Sequence, residues 1–253
     1  MMEEKKEIVK KEYMNADIDA IVVPESVKEI GDWAFANCKR LREISLPKGL
    51  TKLSTNCFYG CDALERVIVY DEDKKTHPVF PELIAASIKL WNTDMVKWIE
   101  LSGDPHAFYS HFDWRMSVYA KEPDDTGYVP FIAGGEEDYE GDEYDHESFM
   151  KNRSEEKCFA MYLRLISDKS KDDIPAYITD YLNNHNPFGA FSTIVAADHF
   201  KREMFDIYTD LGLLRDEVLD ELLKLTEDDP ELKTRILRYN DSDSGSFFDD
   251  MNL

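Results

Sequence analysis

The chain has 253 residues, with 53 acidic and 30 basic side chains, a net charge of −23 and 43% apolar residues. That apolar content supports one large or two medium cores, while no stretch reaches the roughly 20 apolar residues of a membrane span. The acidic field disfavours nucleic acid and anionic membrane as partners and favours encounter with a basic one.

The charge is unevenly spread. Residues 1–70 carry 12 acids and 11 bases, and residues 71–253 carry 41 acids and 19 bases. The first residues, MMEEKKEIVKKEYM, alternate in charge and lack the apolar stretch of an export signal, so a cytoplasmic location is expected.

From Ile18 onward three segments share a 23-residue period. Ile21, Ile44 and Val67 fall in one register, as do Val23, Leu46 and Val69, and Ile18, Leu41 and Leu64. Val27 recurs as Leu50, Ile30 as Leu53, Phe35 as Phe58 and Cys38 as Cys61. A fixed spacing at this many positions predicts one supersecondary unit stacked on its own copies. Each unit reads as a half-buried strand, such as Leu41 to Leu46, then a turn and an irregular return. Pro47 removes a donor where the ladder ends.

These residues resemble the BspA-like leucine-rich repeats. The family pattern is a strand, Pro, an aliphatic pair, Ala-Phe and a Cys. It is met by Pro24, Val27, Ile30-Gly31, Ala34-Phe35 and Cys38, and again by Pro47, Leu50, Leu53, Cys57-Phe58 and Cys61. Departures occur at Ser54 and Cys57, which replace Gly and Ala, and at Tyr70, which replaces the next Pro. The match covers about residues 17–70 and implies a short solenoid with capped ends. If Ile44 and Leu46 point inward, Ala20, Val22, Glu43, Ser45, Arg66 and Ile68 line the opposite, concave sheet face. The resemblance makes that face a candidate for partner binding; cover by the protein's own helices accounts for it equally well.

After Tyr70 the composition changes. Residues 71–78 form a polar connector, and Pro81 is placed to open a helix. Leu83, Ala86, Ile88 and Leu90 predict the first helix. Thr93 is placed to cap a second, carrying Val96, Ile99 and Leu101 and stopping at Gly103. A third runs from about Pro105 with Phe108, Phe112, Met116 and Tyr119 on one face. Residues 123–147 break the pattern with Pro123, Gly127, Pro130, Gly134-Gly135 and eight acids between Glu136 and Glu147, which predicts a long loop. Further helices are predicted near 154–166, 171–184, 189–197, 199–211, 214–226 and 229–239. Ala196-Ala197, Phe205, Tyr208 and Gly212 resemble a degenerate ankyrin unit, as do Val96, Ile99 and Gly103, without the Thr-Pro-Leu-His signature. Paired antiparallel helices are what this resemblance implies.

The expected architecture is therefore α+β. Residues 1–76 form an N-terminal cap and short leucine-rich-repeat solenoid. Residues 77–240 form a mostly helical domain of paired antiparallel helices, and 241–253 a polar tail.

Residues with chemical potential are sparse. Neither phosphate-cradling glycine pattern nor HExxH occurs. His106 and His111 flank an aromatic segment, and Ser110, His111 and Asp113 stand too close on one helix to form a triad. The runs from Asp138 and from Asn240 fail calcium-loop spacing, with Phe149 and Met251 at the twelfth position. Cys38, Cys57, Cys61 and Cys158 read as buried small hydrophobes rather than half a zinc site. No catalytic residue, cofactor or metal is therefore expected. The favoured reading is a non-catalytic protein-interaction module whose partner is a protein. An acidic inhibitor of a basic protein and an enzyme with a dispersed site stay open as alternatives.

Overall fold

A computed structural model describes residues 5–126, 146–167, 174–184, 187–197 and 199–249, with side-chain surroundings through residue 239 apart from 187 and 188. The chain divides into two compact units, residues 1–118 and 119–253.

The first unit opens with six short strands: β1 (Glu7–Ile8), β2 (Ala20–Val22), β3 (Glu29–Ile30), β4 (Glu43–Pro47), β5 (Lys52–Leu53) and β6 (Arg66–Tyr70). They form two parallel three-stranded sheets, ordered β1-β3-β5 and β2-β4-β6. In the second sheet Ile21 pairs with Ile44 and Ile44 with Val67, the register that the 23-residue period predicts. Strands β2 to β6 return at the same position of the next unit, so equivalent apolar side chains pile into columns. Ile8, Ile30 and Leu53 form one such column, and Leu41 and Leu64 another, all buried.

Three further contacts tie unit to unit. Tyr13 stacks on Phe35 at 5.2 Å between ring centroids and Phe35 on Phe58 at 5.8 Å. Each repeat cysteine donates its S–H to a carbonyl of the preceding unit, Cys38 to Tyr13 and Cys61 to Phe35, both at 3.0 Å. Ion pairs span one period from Lys39 to Asp62, Arg40 to Asp17, Arg42 to Glu65, Lys52 to Glu29 and Arg66 to Glu43. The turn before each cysteine requires a left-handed residue, supplied by Asn37 at φ 58° and Gly60 at φ 66°.

Two positions of the repeat pattern, one kept and one changed, have local causes. A Cβ on Gly31 would lie 2.9 Å from the Lys10 amide nitrogen, a close approach that glycine alone permits. Tyr70, in place of proline, sends its hydroxyl back across the sheet to the Val23 carbonyl.

Three helices complete the first unit: α1 (Pro81–Leu90), α2 (Met95–Leu101) and α3 (Pro105–Tyr119). α1 packs against β6 and α2, and α2 against β5. Proline at the start of α1 needs no amide partner, as its position predicts. The buried stripe of α1 is Ile84, Ser87 and Ile88 with Leu83, continued by Trp91; Ala86 and Leu90, expected on it, are half-buried. Thr93 does not cap α2: Asp94 occupies the cap position and makes no side-chain cap bond. Gly103 accommodates the His77 ring, 3.3 Å from where a Cβ would stand. On α3, Phe108, Phe112 and Met116 are buried as the 3.6-residue pattern predicts.

The second unit contains α4 (His146–Ser167), α5 (Ala176–Asn184), α6 (Pro187–Ala196), α7 (Lys201–Asp210), α8 (Asp216–Leu225) and α9 (Pro230–Asp249). α6 packs on α4, α5, α7 and α8. Tyr162, Leu163, Phe191, Ile194, Met204 and Tyr208 are its most deeply buried side chains. Helix α4 begins eight residues before the predicted start, in what the proline and glycine pattern assigns to a loop. The rest of that loop, residues 127–145, lies outside the described residues, as do residues 168–173 at the predicted start of α5. Helix α9 continues to Asp249, through the segment whose composition reads as a polar tail. Gly212 ends α7 at φ 67°, with Gly212 N–H donating to the Thr209 carbonyl and Leu213 N–H to the Tyr208 carbonyl, so these two carbonyls of the last turn are satisfied.

Candidate functional site

The parallel ladder places the six candidate residues in two rows on one side of the β2-β4-β6 sheet. Ala20, Glu43 and Arg66 stand in one register, and Val22, Ser45 and Ile68 in the next. Their neighbours Ile44, Leu46, Val67 and Val69 are buried on the other side. Strand alternation alone decides this division, so the rows are legible from the repeat.

The charged row is engaged. Arg66 bonds the Glu43 carboxylate at 2.6 Å through one terminal nitrogen and Glu82 of α1 at 3.0 Å through Nε. Glu82 is nearly buried, and its second oxygen has no hydrogen-bond partner among the described residues. A single guanidinium thus answers two carboxylates, leaving this end of the face negative. Periodicity gives no warning of Glu82, because it belongs to a helix outside the repeat. The apolar row is graded: Ser45 and Ile68 are half-buried, while Val22 is 68% exposed.

Other groups flagged by residue type are committed elsewhere. His111 packs between the rings of Trp98 and Trp114, at 4.9 and 5.9 Å, and burial followed by the Arg115 charge lowers its pKa. Ser110, His111 and Asp113 follow one another along α3. His77 Nδ1 lies 2.8 Å from the Ser102 hydroxyl, whose proton goes to the Ile99 carbonyl at 2.7 Å, and Ser102 is fully buried. That contact latches the connector to the end of α2 and leaves no free nucleophile. All four cysteines are buried thiols.

In the second unit the sequence reading passed over a buried cation. The Lys157 ammonium is completely buried, bonded to Asp124 at 2.6 Å and to the Glu122 carbonyl at 2.7 Å. It lies 4.9 Å from the centre of the Tyr119 ring and 5.6 Å from that of Tyr181. Arg153, one helical turn earlier, bonds Glu122 and the Thr126 carbonyl. The two cations pin residues 122–126 to α4. In the sequence Arg153 and Lys157 stand in the charged run Arg153-Ser154-Glu155-Glu156-Lys157, which reads as a solvated helix face and gives no signal of burial. Among the described residues no three of His, Cys, Asp and Glu gather as metal ligands, and no helix is long and apolar enough to cross a membrane.

Comparison with known proteins agrees with this geometry over part of the chain. Residues 6–78 match the family model described as the BspA type leucine rich repeat region. The match starts earlier and ends later than the repeat pattern read from the sequence. A search of curated proteins and a search of solved structures returned no match.

Proposed function

We propose that the repeat region of this chain is a non-catalytic protein-interaction module, a short solenoid that engages its partner through Ala20, Val22, Glu43, Ser45, Arg66 and Ile68. The observation that carries this reading is the regular presentation of those six side chains in two register rows, with an exposed valine at one end. The match to leucine-rich repeats, which typically bind proteins and are not typically catalytic, supports it. The helical half acts as a scaffold of paired antiparallel helices, of degenerate ankyrin type where α7 ends at Gly212; the left-handed turn there supports that assignment.

The test is affinity capture of the tagged protein from its source lysate at low and high salt, beside a Ser45→Arg/Ile68→Asp variant. Both substitutions replace half-buried residues on the face, and unchanged circular dichroism confirms folding. A partner held by the native protein and lost by the variant supports the reading. Equal capture by both proteins would sink it. A basic partner released at high salt from both proteins alike would support the acidic-inhibitor reading, for which the 41 acids and 19 bases of residues 71–253 argue.

A further inference from the structure

The repeat stack is closed at one end of the strand sheet and open at the other. Beyond β6 the chain turns back: Tyr70 bridges Thr76, and His77 N–H donates to the Val69 carbonyl. At the opposite end β2 pairs with β4 alone among the described residues. On the return side, by contrast, β1 covers β3, and Ile8 closes its column with 1% exposure. Among the described residues, the N-terminal segment therefore caps one half of the first repeat and leaves the strand half bare.

The consequences show in the columns. Leu41 and Leu64 are buried, but their equivalent Ile18 is half-buried; Ile44 and Val67 are buried, but Ile21 is half-buried. Val22 is the most exposed of the large apolar side chains among the described residues. In a parallel ladder the main-chain groups of alternate residues point to opposite edges. Val23 N–H donates to Ser45 and the Asp19 carbonyl accepts from Glu43, both toward β4. The intervening N–H and C=O groups of Ala20 and Val22 therefore face the open edge. Such an edge is a template for another strand.

The charge columns say what kind of strand. Signs alternate along the stack, Asp17 then Arg40, and Asp19 then Arg42 then Glu65. Arg42 is taken by Glu65, so Asp17 and Asp19 share the single guanidinium of Arg40 and remain 76% and 64% exposed. Both carboxylates bond that one cation, so the pair keeps an excess negative charge where the next member of each column would be basic.

We infer that the outer edge of β2 binds an extended segment of a partner protein, added as a parallel strand, with the pattern basic-x-apolar-x-apolar. Its basic residue meets Asp19, its first apolar residue covers the half-buried Ile21, and its second extends the column that Val23 already closes. The inference deepens the interaction reading and rests on it, because Val22 belongs to both surfaces. The chain's own β4 segment has this pattern in Arg42, Ile44 and Leu46, with Arg40 opposite Asp17 and Leu41 opposite Ile18. Recognition of this kind draws affinity from main-chain bonds and selectivity from alternate side chains.

The test uses a labelled peptide of residues 40–48, RLREISLPK, titrated into the full-length protein with fluorescence anisotropy. Saturable binding is expected, together with a loss of about tenfold or more in Val22→Pro, which removes an outward N–H. Reversing charge in the protein (Asp19→Lys) or in the peptide (Arg42→Glu) is expected to weaken binding about threefold, and combining the two to restore it. That restoration stands even if Val22→Pro fails to fold. Equal binding of a scrambled peptide, no saturation by about 1 mM, or a self-association abolished by Val22→Pro would each overturn the inference; the last assigns the edge to a second copy. The Ser45→Arg/Ile68→Asp variant separates this from the broader reading. Loss of the captured partner in that variant, with no peptide bound at the edge, leaves the interaction module standing and removes the strand-addition mode.

Discussion

Cys38 and Cys61 stand one repeat apart, and each spends its S–H on the unit before it. Burial pushes the Cys61 thiol up to about 11 and the Cys158 thiol up to about 12, and raises Cys38 and Cys57 as well. A raised thiol is protonated at neutral pH and poorly nucleophilic. Ellman's reagent at pH 8 is therefore expected to label none of the four cysteines until denaturant is added. The stability linked to Cys61 is fully present below the ordinary thiol value of 9.0 and is lost as pH rises toward 11. Asp229 carries the opposite dependence. It caps α9 through the Leu232 N–H at 3.1 Å and pairs with Lys201 at 3.1 Å, and these two contacts hold its carboxyl below the ordinary 3.8. Its contribution is present above pH 3.8 and is lost as pH falls through the lowered value; Asp229→Ala should cost about 1 kcal/mol at neutral pH in urea unfolding. Lys157 is the costlier site. Lys157→Ala strands the nearly buried Asp124 carboxylate and should cost about 3 kcal/mol by the same measurement.

At the level of elements, packing outweighs charge in joining one repeat to the next. Exposed ion pairs such as Arg42–Glu65 contribute about 0.2–1 kcal/mol, whereas removing a buried aromatic costs about 3–5 kcal/mol. A double-mutant cycle on Arg42 and Glu65 is thus expected to give a coupling below about 1 kcal/mol, against about 3 kcal/mol or more for Phe35→Ala. The pairs set which face meets which, through alternating sign, more than they set stability. The first strand escaped the periodic reading for a simple reason: Glu7 and Ile8 pair with Glu29 and Ile30 at a spacing of 22, one short of the repeat. Helix existence was legible on α3, where Phe108, Phe112 and Met116 form one stripe. Helix ends were less so. Residues such as Thr93 can cap a helix, but the turn geometry at Asp94 decides whether one does.

For the whole molecule, charge separates the two units. Residues 1–118 carry 20 acids and 16 bases; residues 119–253 carry 33 and 14. Raising salt from about 0.01 to about 1 M shortens the screening length from about 30 to about 3 Å. The repeat unit should lose a little stability as its ion-pair ladder is screened. The second unit should gain as its self-repulsion is relieved. The tryptophans make this measurable: Trp33, Trp91, Trp98 and Trp114 all lie in the first unit. Urea unfolding followed by tryptophan fluorescence and by far-ultraviolet circular dichroism should therefore shift in opposite directions with salt. Parallel shifts would mean that the units unfold as one.

The amino-acid sequence by itself determined the repeat, its register, the inward columns, the outward rows of the candidate face and the burial of the cysteines. These follow from a local rule, alternation along a strand, multiplied by a fixed period. Only the tertiary structure decided that Arg66 is shared by Glu43 and Glu82, that Lys157 is buried between Asp124 and two tyrosines, and that β2 keeps an edge free of the described residues. Each depends on which segments meet in space. A free edge is a missing contact, and a sequence pattern has no residue with which to record one.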